Sequence, residues 1–255
     1  MATNFKRAII RNPGKKICNA ISTRGLTPDF HKAKQQHNQY RKVLENLGLK
    51  VHVLEALEEF PDSVFVEDPA LVINDICIIL RPGVASRFGE SKVLEGDLTS
   101  IFSDIYRIKN GKIEGGDILR IGSHFIVGLS ERTNKEGAKN LGEILAPLGF
   151  TLEISKTPAG VLHFKSECSL VATETILATE KLIQTGFFSN KYRLLKVPKG
   201  EEIGANCLSI NDHVLIPKGF NKINDLLSKK YKTIVVDVSE MEKADAGLSC
   251  MSLRA

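Results

Sequence analysis

The strongest constraint on how this chain can fold is a hairpin that recurs along it. Two apolar, β-branched runs separated by a short turn occur at 70–81 around Asn74-Asp75, at 117–130 around Gly122-Ser123, at 169–179 around Thr173-Glu174 and at 207–217 around Asn211-Asp212. Such residues between β-branched runs favour two antiparallel strands joined tightly. Their fairly even placement marks one supersecondary unit used repeatedly. Helical spacing and a strand follow several of them. Thr133 with Glu136 forms a capping box, Ala138, Leu141, Ile144 and Leu145 keep one face, and Gly149 ends the segment. Phe220, Ile223, Leu226 and Leu227 make a second stripe before a strand at 232–238. Near the start, Pro28 marks a first helical position, with Phe30, Ala33, Tyr40, Val43, Leu44 and Leu47 facing inward, Gly48 as the stop and a strand at 51–54.

Hairpin, helix and strand in repetition define an α/β domain spanning 1–255 without a linker. An open row of such units would expose apolar faces at both ends. Closing the row into a ring removes them, and it sets the C-terminus beside the N-terminus. It also points the loops before the strands toward a common centre, so polar residues far apart in sequence should converge there.

Composition narrows the function. The net charge is +5 over 255 residues and the basic residues are scattered, so no nucleic-acid-binding arm is present. The longest apolar runs fall far short of the ~20 residues that span a bilayer, and the first eleven residues lack signal-peptide architecture. Five irregularly spaced cysteines without a Cys-x-x-Cys pair argue against a disulfide framework and for a reducing, cytoplasmic setting.

Several polar residues at hairpin edges need an explanation. Glu67 and Asp68 are adjacent carboxylates just before an apolar strand, either a solvated loop or a clamp for a cation, with Phe65 able to add a π face to a guanidinium. Asp62 precedes them. In Glu114-Gly115-Gly116-Asp117 the glycines allow close backbone approach or merely a tight turn. His163 sits on an alternating strand edge, where a structural histidine is the commoner case, and its spacing to Cys168 is not a zinc pattern. Cys77 and Cys207 fit buried core positions, whereas Cys250 follows small residues that leave its sulfur accessible. Arg87 and Arg132 suit carboxylate binding but are individually weak signals.

Together these segments resemble the dimethylarginine dimethylaminohydrolases, within the wider guanidino-group-modifying (pentein) superfamily. The resemblance is carried by residues 60–68, by Arg81-Pro82-Gly83 with Ser86-Arg87 and Gly89-Glu90, and by Glu114-Gly115-Gly116-Asp117. It continues through residues 131–134, Leu162-His163-Phe164-Lys165, Ala205-Asn206-Cys207 and residues 247–254, in family order over essentially the whole chain. It implies a five-bladed α/β propeller of ββαβ units with pseudo-fivefold symmetry around a central active site. It also implies hydrolysis of Nω-methylated arginines to citrulline and dimethylamine or methylamine. By position Cys250 resembles the nucleophile that forms an S-alkylthiouronium, His163 the general acid and base, and Glu114 the carboxylate that orients it. Glu67 and Asp68 match the pair holding the guanidinium, Asp62 the residue facing the α-amino group, and Arg87 and Arg132 those gripping the α-carboxylate. Cys18 and Ala244 fall where family members lend backbone contacts. They replace the usual leucine and larger aliphatic residue, and Asp245-Ala246-Gly247 replaces the more usual Asp-Gly-Gly. No metal or organic cofactor is implied. The expected partner is a small-molecule substrate, not nucleic acid or membrane, and a homodimer is left open. Arginine deiminase or arginine dihydrolase chemistry is the neighbouring alternative, since the same groups would serve. A non-catalytic binding propeller is the remote one, disfavoured because Cys250, His163 and Glu114 are all present.

Overall fold

A computed structural model describes residues 4–188 and 191–255. Residues 1–3 of the N-terminal stretch lie outside the described residues. The described residues form five three-stranded sheets with one shared plan. In the second sheet β3 (Ala70–Ile73) pairs antiparallel with β4 (Ile76–Ile79), which pairs parallel with β5 (Asp104–Arg107) after a crossover through α2 (Glu90–Leu98). The third sheet repeats this with β6 (Ile118–Ile121), β7 (His124–Leu129), α3 (Lys135–Leu145) and β8 (Thr151–Lys156). The fourth uses β9 (Cys168–Ala172), β10 (Thr175–Ala178), α4 (Glu180–Ile183) and β11 (Arg193–Lys196). The fifth uses β12 (Leu208–Ile210), β13 (His213–Pro217), α5 (Asn221–Ser228) and β14 (Lys232–Val236).

The first sheet is made from both chain ends. β1 (Arg7–Arg11) runs parallel to β2 (Lys50–Leu54) across α1 (Phe30–Asn46), and its antiparallel partner is β15 (Leu253–Arg254). The pairing of the two ends anticipated from the repeat is therefore met. The four hairpin turns also fall where expected. Asn74, Gly122 and Asn211 lead their turns with positive φ, and Glu174 takes the left-handed conformation in the second turn position.

Five apolar clusters weld the sheets, one at each joint. Ile9 and Leu253 pack with Val72, Ile79 and Leu98 between the first and second sheets. Ile78, Phe125, Val127 and Leu141 fill the next joint, Leu119, Ile126, Cys168 and Leu182 the third, and Leu177, Val214, Ile216 and Leu227 the fourth. Ala8, Ile10, Tyr40, Leu208 and Leu215 close the fifth sheet back onto the first. Each crossover helix thus covers the seam between its own sheet and the one before it. Among the described residues no helix is long and apolar enough to cross a membrane.

Two helix starts differ from the sequence reading. α3 is capped by Asn134, whose side chain accepts from the Gly137 amide, while Thr133 turns its hydroxyl inward to accept from the Glu114 amide. α1 begins at Phe30 under an Asp29 cap, two residues beyond Pro28, because the Asp29 carboxylate satisfies the Lys32 amide. The sequence reading also left β5, β8, β11, α2 and α4 unassigned.

Because β15 is only two residues long yet completes the first sheet, Leu253 (3% exposed) is a sensitive position. Leu253→Ala should destabilise the fold by about 2–4 kcal/mol in urea unfolding, the usual cost of truncating a buried leucine. A change below about 1 kcal/mol would show that the closing strand is dispensable.

Candidate active site

The segment entering the first strand of each sheet carries buried polar or nucleophilic residues, and one from each segment marks its entry point. These are Asp68 before β3, Glu114 before β6, His163 before β9, Asn206 before β12 and Cys250 before β15. The shared strand order brings these five entry points to one end of the assembly, which is why residues from positions 68 to 250 meet.

His163 and Glu114 form a direct pair, with Nε2 2.7 Å from Glu114 Oε2. Burial opposes a charged imidazole, but Asp68, the Glu114 hydrogen bond and Asp117 outweigh it and hold His163 at a pKa of about 9. Burial likewise opposes a charged Glu114, yet His163, Arg87 and Arg132 lower it to about 2. At neutral pH the pair is imidazolium and carboxylate. Glu114 is fixed from behind, since Oε1 accepts from the Gly83 amide at 2.8 Å. Asp117 accepts from the Phe164 amide at 2.8 Å and from the Ser130 hydroxyl at 2.7 Å, anchoring the chain next to His163. The two glycines after Glu114 are required by close approach. A Cβ on Gly115 would lie 1.9 Å from the Glu67 carbonyl oxygen, and one on Gly116 would lie 2.5 Å from His163 Nδ1.

Cys250 lies in a short 3-10 turn, Ser249–Met251, and is 9% exposed. Burial, reinforced by Glu67 and Asp68, pushes its thiol up to about 12. The resting group is a thiol in an acidic surrounding, and a cation arriving beside it favours the thiolate.

Cys250 and His163 line one cavity with Asp62, Phe65, Asp68, Arg87, Arg132, Ala244 and Ile21. Its volume is about 30 Å³, room for a water or two. Arg87 is buried and grips Asp68 at 2.6 Å and Glu90 at 2.7 Å. Arg132 stands 3.5 Å from Glu114. The Ile21 amide donates to Asp62 at 3.1 Å, laying the 20–26 loop across the cavity.

Two expected residues are placed elsewhere. Glu67 does not line this cavity. It turns to the opposite side, where Lys165 Nζ (2.6 Å), Arg254 Nη2 (2.8 Å) and the Ser249 hydroxyl (2.8 Å) saturate it. The cation its burial demands is supplied by the chain itself. Cys18 is exposed in a 3-10 turn, its Sγ 3.5 Å from the Lys15 carbonyl, and Ile21 takes the place over the cavity. Lys165, Arg254 and Glu90 belong to segments that carried the resemblance, but no sequence signal named them as partners of Glu67 or Arg87.

Asp68, Glu114 and His163 bring three candidate ligand atoms within 4.8 Å of one another. These side chains are already engaged by Arg87, by the Gly83 and Gly116 amides and by each other. The two flanking guanidiniums make the spot unfavourable for a dication.

A family model described as arginine deiminase matches residues 93–153. The N(G),N(G)-dimethylarginine dimethylaminohydrolase of Pseudomonas aeruginosa is 35% identical, covering 98% of this chain and 99% of that protein. A like-named protein of Streptomyces coelicolor is 29% identical, covering 98% and 96%. Among solved structures, a cysteine-to-serine variant of the Pseudomonas enzyme complexed with citrulline superposes with a TM-score of 0.94 at 35% identity, covering 98% of this chain and 99% of that one. The N-terminal domain of a cyanobacterial arginine dihydrolase superposes at 0.85 with 14% identity, covering 97% of each chain, a likeness of fold. Fold and site together define a member of the guanidino-group-modifying, or pentein, class. Within it, the chain belongs to the dimethylarginine dimethylaminohydrolase family.

The raised His163 pKa contributes stability that is fully present below about 6.5 and is lost as pH rises through about 9. Glu114→Gln removes the negative partner, so the His163 titration followed by NMR should move from about 9 toward the ordinary histidine range. An unmoved titration would show that Glu114 does not hold the imidazolium.

Proposed function

We propose that this protein hydrolyses Nω-methylated arginines, asymmetric dimethylarginine and monomethylarginine, to citrulline and the corresponding methylamine. One observation carries the reading: a single cavity is lined by a thiol, a carboxylate-held imidazolium, an acidic side chain beside them and a separate set of charges suited to an α-amino acid. The whole chain is read as one five-bladed propeller domain with pseudo-fivefold symmetry around this site, in keeping with the five welded joints. A cytoplasmic setting would keep its five free thiols reduced.

Arg87 and Arg132 take the substrate α-carboxylate, and Asp62 with the Ala244 backbone takes the α-amino group. The cavity is too small for this ligand while Ile21 holds Asp62, so the 20–26 loop opens first, freeing that carboxylate. Asp68 accepts from the guanidinium, with Phe65 alongside. The arriving cation lowers the thiol pKa, the proton leaves to solvent, and Sγ attacks the central carbon. His163 delivers its proton to the methylated nitrogen, the C–N bond breaks, and a neutral amine departs. The S-alkylthiouronium remains on Cys250. Neutral His163 then takes a proton from water, which adds to the same carbon, and the C–S bond breaks to release citrulline. Glu114 holds the imidazole throughout, as a triad carboxylate does. Glu67 serves as a buttress, tying Lys165, Arg254 and Ser249 beneath the Cys250 turn.

The arginine deiminase match over 93–153 makes unmethylated arginine the competing substrate. A citrulline assay with asymmetric dimethylarginine, monomethylarginine, arginine and agmatine decides between them. The methylated compounds should be preferred, and faster turnover of arginine would overturn the reading. Agmatine, lacking the carboxylate, should be processed at least about 100-fold less well, the size expected when buried charges are left unpaired. Cys250→Ser and His163→Ala should each abolish steady-state citrulline formation with the fold intact by circular dichroism. Arg132→Ala should chiefly raise KM.

A further inference from the structure

The cavity that would hold the amino-acid end of the substrate is one of two spaces meeting at the reacting groups. A second, larger cleft of about 290 Å³ is also lined by His163, Cys250, Leu162, Ala246 and Asp245. None of Asp62, Arg87 and Arg132 lines it. It runs instead past Val161, Gly160, Lys181, Pro217 and Ile203, the last 59% exposed at the rim. The small cavity and the cleft therefore adjoin at the thiol and the imidazole, sharing Leu162, Asp245 and Ala246 as well, while their remaining walls differ.

This matters because of the order of the chemistry. After the C–N bond breaks, the amino-acid portion stays attached to Sγ and fills the small cavity. The amine must leave and a water must arrive while that plug is in place. His163 faces both spaces, and the nitrogen it protonates is the departing one, so the substituents on that nitrogen point toward the cleft. The cleft offers apolar surface from Val161, Leu162, Ala246 and, at the rim, Ile203, set among charged side chains such as Lys165, Lys181 and Asp245, and glycines at 116, 160 and 247 leave it free of bulk.

We infer that this cleft is the subsite and exit port for the leaving amine, and that the enzyme accordingly hydrolyses arginines whose departing nitrogen carries an alkyl chain longer than methyl. The inference rests on the hydrolase reading above. In each turnover the guanidinium C–N bond breaks, the nitrogen leaves as a neutral alkylamine carrying the His163 proton, and water completes citrulline as before.

The test measures kcat/KM for Nω-methyl-, Nω-ethyl- and Nω-propyl-arginine with the wild type and with Ile203→Trp, which narrows the rim without touching the reacting groups. A closed methyl pocket would reject each added methylene by roughly 10–200-fold. The wild type should keep propyl within about 30-fold of methyl, and Ile203→Trp should lose at least about 10-fold on propyl alone. A larger loss on propyl in the wild type, or an equal effect of the variant on both substrates, overturns the port. Failure to process Nω-methyl-arginine at all would instead sink the hydrolase reading, so the two failures are distinguishable.

Discussion

The structure depends on one requirement: each three-stranded sheet has an apolar flank that only a neighbouring sheet can cover. Ile9 and Leu253 meet Val72 and Ile79, and the same kind of contact recurs until Leu208 and Leu215 meet Ala8 and Ile10. Burial of apolar surface is non-directional, but five units sharing one strand order can satisfy it completely only by closing on themselves. Closure in turn fixes the ends of the chain. The two-residue strand β15 is held beside β1 by the requirements of the joint, and Cys250 is three residues upstream of it. The Cys250 thiol is therefore positioned by the same contact that completes the core.

Closure also concentrates charge. The segments entering the first strands bring Asp62, Glu67, Asp68, Glu114, Asp117 and Lys165 into the interior, where Arg87 and Glu90 from the start of the second sheet's crossover and Arg254 from β15 join them and where an unpaired charge is costly. The chain answers by dividing them. Arg87 pairs with Asp68 and Glu90 beside the small cavity, and Lys165 and Arg254 pair with Glu67 away from it. Burial, reinforced by Glu67 and Asp68, pushes the Cys250 thiol up to about 12, while Asp68 and the Glu114 hydrogen bond outweigh burial and hold His163 up at about 9.

Asn206 illustrates how the two halves of the site stay in register. Its amide donates to the Lys165 carbonyl at 3.0 Å and to the Ser249 hydroxyl at 3.1 Å, and its oxygen accepts from the Ser249 amide at 3.0 Å. One side chain thus bridges the strand entries that carry His163 and Cys250, and Gly247 is bare because a Cβ there would sit 2.5 Å from it.

The hairpins, the helical stripes and the pairing of the chain ends were legible in the sequence, because turn residues and apolar periodicity act over a few positions. So were the residues of the small cavity, with Asp62, Phe65, Asp68, Arg87, Arg132, Ala244, His163 and Cys250 brought together as expected. The weak strands β5, β8 and β11, partly exposed and short of strong alternation, were not legible. Neither was the fate of Glu67. Adjacency to Asp68 shows that a buried acid pair needs cations, but the two carboxylates stand in a turn before β3, and which cation each one meets depends on Lys165 and Arg254 arriving from other sheets. Ile21 rather than Cys18 over the cavity is likewise a matter of how a loop drapes across a distant carboxylate. The sequence by itself determined the repeating unit and the kinds of chemical group available, through local propensities. Only the tertiary structure decided which groups face each other and which side of the sulfur is open, because those relations are made between strand entries as far apart as Asp68 and Cys250.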